Sequence, residues 1–107
     1  MRDAASFDRV FRNAARSRDR YFTVLARSRG GGVPRLGMAV SRRVDRRAVA
    51  RNRIKRLVRE SFRHHKDHLD DLDLVVLARR ECVAADNAEL LASLKHHWHR
   101  LSRCARS

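Results

Sequence analysis

One stretch constrains this chain more than any other: Arg51-Asn-Arg-Ile-Lys-Arg-Leu-Val-Arg-Glu-Ser-Phe-Arg63. At about 100° per residue it reads as a helix with two opposed faces. Ile54, Leu57, Val58, Ser61 and Phe62 fall on one side. Arg51, Asn52, Lys55, Arg56, Arg59 and Arg63 fall on the other. The apolar stripe has to be buried against the rest of the chain, so the fold must supply a surface to cover it. What remains outside is a rigid row of guanidinium and ammonium groups. Arg grips phosphate oxygens bidentately and Lys adds a point charge. Asn52 is the uncharged polar residue in the row's first turns, able both to donate and to accept hydrogen bonds.

Charge is large and concentrated. The 107 residues carry a formal net charge of +14, and residues 42–66 hold eleven Lys/Arg against two acids, a net +9. Such a concentration points to a polyanion partner. Helix surfaces usually intersperse Lys and Arg with Glu at i±4. Here Glu60 is the one acid within the helix proper. The unrelieved repulsion costs stability unless a partner neutralises it, and RNA is the partner this favours. The length suits one domain, 1–107, around one small core. No apolar run approaches the roughly 18 residues that span a bilayer. Met-Arg-Asp-Ala-Ala lacks the apolar region of a secretory signal, so a cytoplasmic location is expected. Cys82 and Cys104 form neither a CxxC pair nor a metal spacing, which suits reduced thiols.

Along the chain, Ser6 is placed to cap a first helix in which Phe7, Val10, Phe11 and Ala14 follow at i, i+3, i+4 and i+7. Tyr21 to Ala26 is rich in aromatic and β-branched residues and reads as a strand. Gly30-Gly-Gly-Val-Pro34 is a turn or flexible loop. Arg35 to Arg42 is a second strand, alternating Leu36, Met38 and Val40 with Gly37, Ala39 and Ser41. The basic helix follows, from Arg46 or Arg47 to His65. After the acidic break Asp67 to Asp71, Leu72 to Ala78 is a third strand, its run Leu74-Val-Val-Leu77 implying burial on both faces. Asp86 caps a last helix, with Glu89 three residues on. Its core stripe is Leu90, Leu91, Leu94, Trp98 and Leu101. The order α-β-β-α-β-α implies an α+β sandwich of helices packed on one sheet.

Arg51-Asn52-Arg53, continued by Ile54-Lys55-Arg56-Leu57, closely resembles the signature of the protein subunits of bacterial ribonuclease P. Ser6-Phe7…Val10-Phe11, Arg35 to Arg43, Arg46-Arg47-Ala48 and Leu72 to Arg79 sit in that family's order and spacing. The likeness covers nearly the whole chain. It implies a two-layer sandwich on a mixed sheet, of the ribosomal protein S5 domain 2-like type, with an unusual left-handed βαβ crossover. It also implies assistance in removing the 5′ leader of precursor tRNA, with the active site on the RNA subunit. Magnesium would act in the RNA-containing holoenzyme, with no cofactor bound by the protein alone. Arg42, Arg43, Arg46, Arg47, Arg51, Asn52, Arg53, Lys55, Arg56 and Arg59 would bind RNA, and Phe7, Phe11 and Tyr21 would line a cleft for the leader. The partners would be the catalytic RNA and precursor tRNA, with the protein itself monomeric. Two departures stand out. Arg46-Arg47-Ala48 replaces a Gly-Asn-Ala type sequence of some members, and many members carry a longer basic arm before the first helix.

Other readings compete. Phe7 and Phe11, on pattern alone, are more readily core residues than stacking platforms, and it is the family resemblance that shifts the balance toward stacking. The run His64-His65…His68 and the cluster His96-His97-x-His99 read as solvated helix ends rather than metal ligands, since no acid or Cys completes a set. Asp67, Asp70, Asp71 and Asp73 read as a polar connection rather than a two-metal nuclease cluster. Cys82 and Cys104 have no His–acid neighbours in sequence to make a nucleophile. Trp98 reads as a core anchor. From other classes, a structural RNA-binding protein of ribosomal type would share the charge, and a protein-only nuclease would need converging carboxylates.

Overall fold

The computed structural model describes residues 14–28, 32–69 and 72–104. Within them lie strands β1 (Ala15–Arg18), β2 (Phe22–Ser28) and β3 (Arg35–Ala39), helix α1 (Ala48–His64), strand β4 (Leu72–Ala78) and helix α2 (Asn87–Cys104). The strands form one mixed sheet in the order β1-β2-β4-β3. β1 and β4 run antiparallel to β2, and β3 runs parallel to β4. A parallel neighbour needs a crossover. α1 supplies it, so the basic helix is the connection that inserts β4 into the middle of the sheet.

Period-2 alternation sorts the strands' residues between two faces. Phe22, Val24 and Ala26 of β2 and Leu72, Leu74 and Val76 of β4 join Ile54 and Val58 of α1 and Leu90, Leu94, Trp98 and Leu101 of α2 in the main core. Leu25 and Val75 point the other way and form a second buried cluster with Ala14 and Leu77. The double-sided burial expected of Leu74 to Leu77 is therefore present. Trp98 stacks edge-on against Phe62, ring centroids 6.1 Å apart. Its Nε1–H donates to Ser61 Oγ at 2.8 Å, which satisfies a hydroxyl buried in α1's apolar stripe. The capping box at Asp86 is also present. Glu89 N–H donates to Asp86 Oδ1 at 2.8 Å, and Asp86 N–H donates back to Glu89 Oε1 at 3.3 Å.

The structure corrects the expected order in one respect. β1 is a strand, and Ala14, read above as the end of a first helix, is non-helical and half-buried in the second cluster. The remainder of that helix, with Phe7 and Phe11, lies outside the described residues. Smaller corrections follow from pairing: β2 starts at Phe22 and runs to Ser28, and β3 stops at Ala39, where its pairing with β4 ends. No helix among the described residues is long and apolar enough to cross a membrane.

Candidate nucleic-acid interface

The loop from β3 into α1 is held from below by two buried valines. Val40 and Val44 enter the core, and Val44 N–H closes a turn on Ser41 O at 3.0 Å. The residues between them have nowhere to go but outward, so Arg42 and Arg43 are exposed. Asp45 shapes the next step. Its Oδ1 accepts Arg47 N–H at 2.7 Å, and its carboxylate pairs with the Arg47 guanidinium at 3.0 Å. Those hydrogen bonds from Arg47 hold the Asp45 carboxyl below its ordinary range. Arg51 reaches back from α1 and donates through Nη1 to the carbonyls of Asp45 at 3.0 Å and Arg46 at 2.8 Å.

α1 begins with neither a side-chain cap nor an acid in its first turn. The unsatisfied N–H groups of its first turn, the positive end of its dipole and the surrounding arginines therefore add at one place. Such an end favours a phosphate. Along the helix, Asn52, Arg56 and Arg59 are exposed and Lys55 is half-buried. Among the described residues, Arg42, Arg43, Arg46, Lys55, Arg56 and Arg59 form no ion pair. Glu60, the helix's acid, is taken by Arg63, with His64 Nε2 3.6 Å away. The hydrogen bond from Arg63, chiefly, holds its carboxyl below the usual range.

Arg53 does not belong to this row. It leaves α1 on the flank facing α2, donating through Nε to Asn87 Oδ1 at 2.9 Å and through Nη2 to Ala85 O at 2.6 Å. It ties the basic helix to the start of α2. Arg51 and Arg53 thus each spend two hydrogen bonds on the chain itself, while Asn52 between them faces solvent. The expected outward position of Arg51 is only partly met, since its side chain folds over the helix N-terminus and is half-buried.

Tyr21 points away from the sheet face opposite the helices. Its ring packs on the main core, and its hydroxyl donates to Glu89 Oε2 of α2 at 2.9 Å. With Arg20, Glu81, Ala84, Ala85 and Glu89 it lines an open pocket of about 380 Å³. The expectation that Tyr21 lines a cleft together with Phe7 and Phe11 turns on residues outside those described.

The histidines also divide differently. His96 and His99 are exposed as expected, but His97 is fully buried. Its Nδ1 lies 2.6 Å from Ser17 Oγ of β1, and its Nε2 lies 3.2 Å from Asp19 Oδ2, out of line for a good hydrogen bond. Asp19 accepts from Ser93 Oγ at 2.5 Å and from the backbone N–H groups of Tyr21 and Phe22 at 2.8 and 2.9 Å. Burial pushes the His97 pKa down, against the opposing pull of Asp19. Burial would raise the Asp19 carboxyl, but its hydrogen bonds and His97 together hold it below its usual value. This Ser–His–Asp arrangement is sealed, with Ser17 1% exposed, so its hydroxyl cannot meet a substrate.

Cys82 is buried, and its Sγ donates to Tyr21 O at 3.0 Å. Burial pushes its thiol up to about 11, far from a reactive thiolate. Among the described residues no three His, Cys, Asp or Glu side chains are arranged to hold a metal ion.

A basic helix displayed from a β–α–β crossover, with Lys55, Arg56 and Arg59 left without an ion pair among the described residues, defines a small α+β domain built to face nucleic acid. The comparisons narrow this. The family model of ribonuclease P matches residues 1–102. The ribonuclease P protein component of Thioalkalivibrio sulfidiphilus is 48% identical over 96 residues, 90% of this chain and 80% of the relative. That of Methylococcus capsulatus is 51% identical over 94 residues, 88% of this chain and 73% of the relative. The solved RNase P protein of Thermotoga maritima superposes with a TM-score of 0.75 at 30% identity, covering 96% of this chain and 94% of that one. The one from Staphylococcus aureus, at 2.0 Å, gives 0.76 at 32% identity, with 90% and 88% covered. The chain belongs to the family of ribonuclease P protein components, which work in maturation of the tRNA 5′ end.

Proposed function

We propose that α1 and the loop before it dock on the catalytic RNA of ribonuclease P and hold it beside the single-stranded leader of precursor tRNA. The observation that carries this is the set of unpaired cations, Arg42, Arg43 and Arg46 on the loop and Lys55, Arg56 and Arg59 on a helix whose opposite stripe is locked in the core. Neutralising phosphates releases their counterions, which drives association. The same charge lowers the repulsion between two polyanions as they approach. Arg51 and Arg53 act one step back: Arg51 fixes the loop that bears Arg42 to Arg47, and Arg53 fixes the helix against α2.

In this reading the protein works in the cytoplasm as one subunit of the holoenzyme and carries no catalytic group. Magnesium supplies Lewis-acid and water-activating chemistry on the RNA subunit, and no step runs through an ion held by the protein. Phe7 and Phe11 would stack on leader bases without regard to sequence.

The test combines the protein with a bacterial ribonuclease P RNA and a precursor tRNA at low magnesium. Cleavage at the leader junction is expected only when both protein and RNA are present. Leader cleavage by highly purified protein, resistant to micrococcal nuclease pretreatment, would overturn the reading.

A further inference from the structure

The two histidine runs lie far apart in the chain, and the fold brings their ends together. His65 closes the C-terminal end of α1, His68 ends the 3-10 turn Lys66–His68 that follows, and His99 lies in the second half of α2. The His99 ring stands beside the other two, its centroid 6.1 Å from that of His65 and 6.0 Å from that of His68. The backbone beneath them is fixed. His68 precedes Leu69 and His99 follows Trp98, both fully buried, and His68 N–H donates to His65 O at 3.0 Å. The side chains of His68 and His99 are exposed, so each can change rotamer at little cost.

His65 is the anchored member. It is half-buried, and its Nδ1 lies 2.8 Å from Ser61 O. A carbonyl only accepts, so Nδ1 carries the proton it donates, and in the neutral ring Nε2 keeps a free lone pair. Histidines that hold metal ions are oriented in this way, by a hydrogen bond from the second ring nitrogen to a carbonyl or carboxylate. Two imidazoles on one tetrahedral ion, with bonds of about 2.0–2.1 Å, bring their ring centroids to about 5 Å. As the rings stand they do not meet around one point. Turning His68 and His99 closes the remaining distance, about 1 Å for each pair.

We propose that His65, His68 and His99 bind a divalent transition ion of zinc's class, with water in the fourth position, and that the ion fastens the C-terminal end of α1 to α2. Neutral imidazole nitrogen suits zinc, nickel and copper, whereas magnesium takes hard oxygen ligands. The site is therefore chemically separate from the magnesium of the cleavage reaction and takes no part in it. Arg63, Lys66 and Arg100 flank the three histidines in sequence, so the local field repels a cation and the affinity has to come from the nitrogen lone pairs. Arg53 ties the first half of α1 to the start of α2, and Trp98 ties Ser61. The ion secures the helix end and the turn beyond it. A solvated helix end without a ligand is the competing role, and it predicts no specific response to metal.

The experiment follows thermal denaturation of the full chain in metal-free buffer at about pH 7.5, above the ordinary histidine value of about 6.5, with zinc chloride or magnesium chloride added. An ion that binds only the folded chain raises its melting temperature, on the order of 10 °C at a hundredfold excess over the dissociation constant. That rise is expected with zinc and not with magnesium. Zinc affinity, read from the dependence of the melting temperature on zinc concentration, should fall at least about tenfold in each of His65→Gln, His68→Gln and His99→Gln. His68 and His99 are exposed, so their variants carry the test should His65→Gln fold poorly. His64→Gln, at a histidine outside the cluster, and Cys104→Ser should keep the wild-type response. A wild type whose melting temperature zinc leaves level or lowers overturns the proposal. So does an equal rise with magnesium, unchanged zinc affinity in any of the three cluster variants, or a comparable loss in His64→Gln or Cys104→Ser.

Discussion

The outer face of α1 and the inner face of α2 both carry more polar groups than their positions ordinarily tolerate, and they resolve the excess in opposite ways. On α2, Ser93 and His97 are buried, and each finds its partner within the chain, at Asp19 and Ser17. On α1, Arg56 and Arg59 find none among the described residues. Burial makes an unmatched polar group cost free energy, so α2's groups had to be matched for the chain to fold at all. Exposure removes that demand. A row of like charges left unmatched at the surface is then a preparation for something outside the chain. The difference separates polar residues that build this protein from those that, in the function proposed above, it offers to RNA, and Arg53, half-buried on α1's flank, falls with the builders.

The sharpest break of the comparison is Trp98→Ala. It empties the volume between α1 and α2 and leaves the Ser61 hydroxyl without its donor. A loss of about 3–5 kcal/mol in folding stability is expected. RNA affinity, corrected for the folded fraction, should barely change. Thermal denaturation beside filter binding checks both parts. An affinity loss in the folded fraction as large as the stability loss would show that the two faces are not separable.

Next in size is the contrast between Arg53→Ala and Arg56→Ala. The first strips Ala85 O and Asn87 Oδ1 of their donors and should cost about 1–2 kcal/mol of stability. The second should leave the melting temperature unchanged or slightly higher, because it relieves repulsion. It should instead lower the salt slope of binding to the catalytic RNA by about 1. If Arg53→Ala keeps full stability and Arg56→Ala loses it, the division of α1 into an offered face and a building flank is wrong.

Features whose cause is local were legible in the sequence. Leu72 to Ala78 is a strand with the same bounds in both readings, because a run of β-branched and aliphatic residues between breaks has few other fates. The capping box at Asp86 and Glu89 is likewise decided within four residues. β1 was not legible. Ala15-Arg-Ser-Arg18 has no β-branched or aromatic residue, and it is a strand only because β2 offers an edge in register, Ala15 to Ala26 and Arg18 to Thr23. Of the candidate site, the exposed cations of α1 were readable from helical period and charge, while Arg42, Arg43 and Arg46 of the loop were singled out by the family resemblance. The role of Arg53 was not, since its acceptor lies 32 residues away at Ala85. For His97 a signal existed: it stands three residues after Leu94 and next to Trp98, on α2's core stripe. Its neighbours His96 and His99 obscured it.

His97 supplies the smallest and most specific test. Its pKa is depressed in the fold because burial penalises the imidazolium more than Asp19 rewards it. The unfolded chain therefore binds this proton more readily than the native one. Stability from this group is complete above the ordinary histidine value of about 6.5 and declines as pH falls below it. Asp19, also depressed, adds to the decline only from about pH 3.9 downward. Arg100 and His96, which face His97 from α2, oppose its protonation and steepen the first step. The melting temperature of the wild type should thus fall between pH 7 and 5, and His97→Leu should flatten that fall. Leucine fills a comparable volume but leaves Ser17 without its partner, so the variant starts lower at pH 7 and the curves converge toward pH 5. α1's outer face holds no buried histidine, so the salt slope of RNA binding should be the same in both proteins at pH 7. A wild type whose stability is level from pH 7 to 5 would mean that the proton finds His97 without breaking the network. The buried chain would then be no more committed than the surface it is contrasted with.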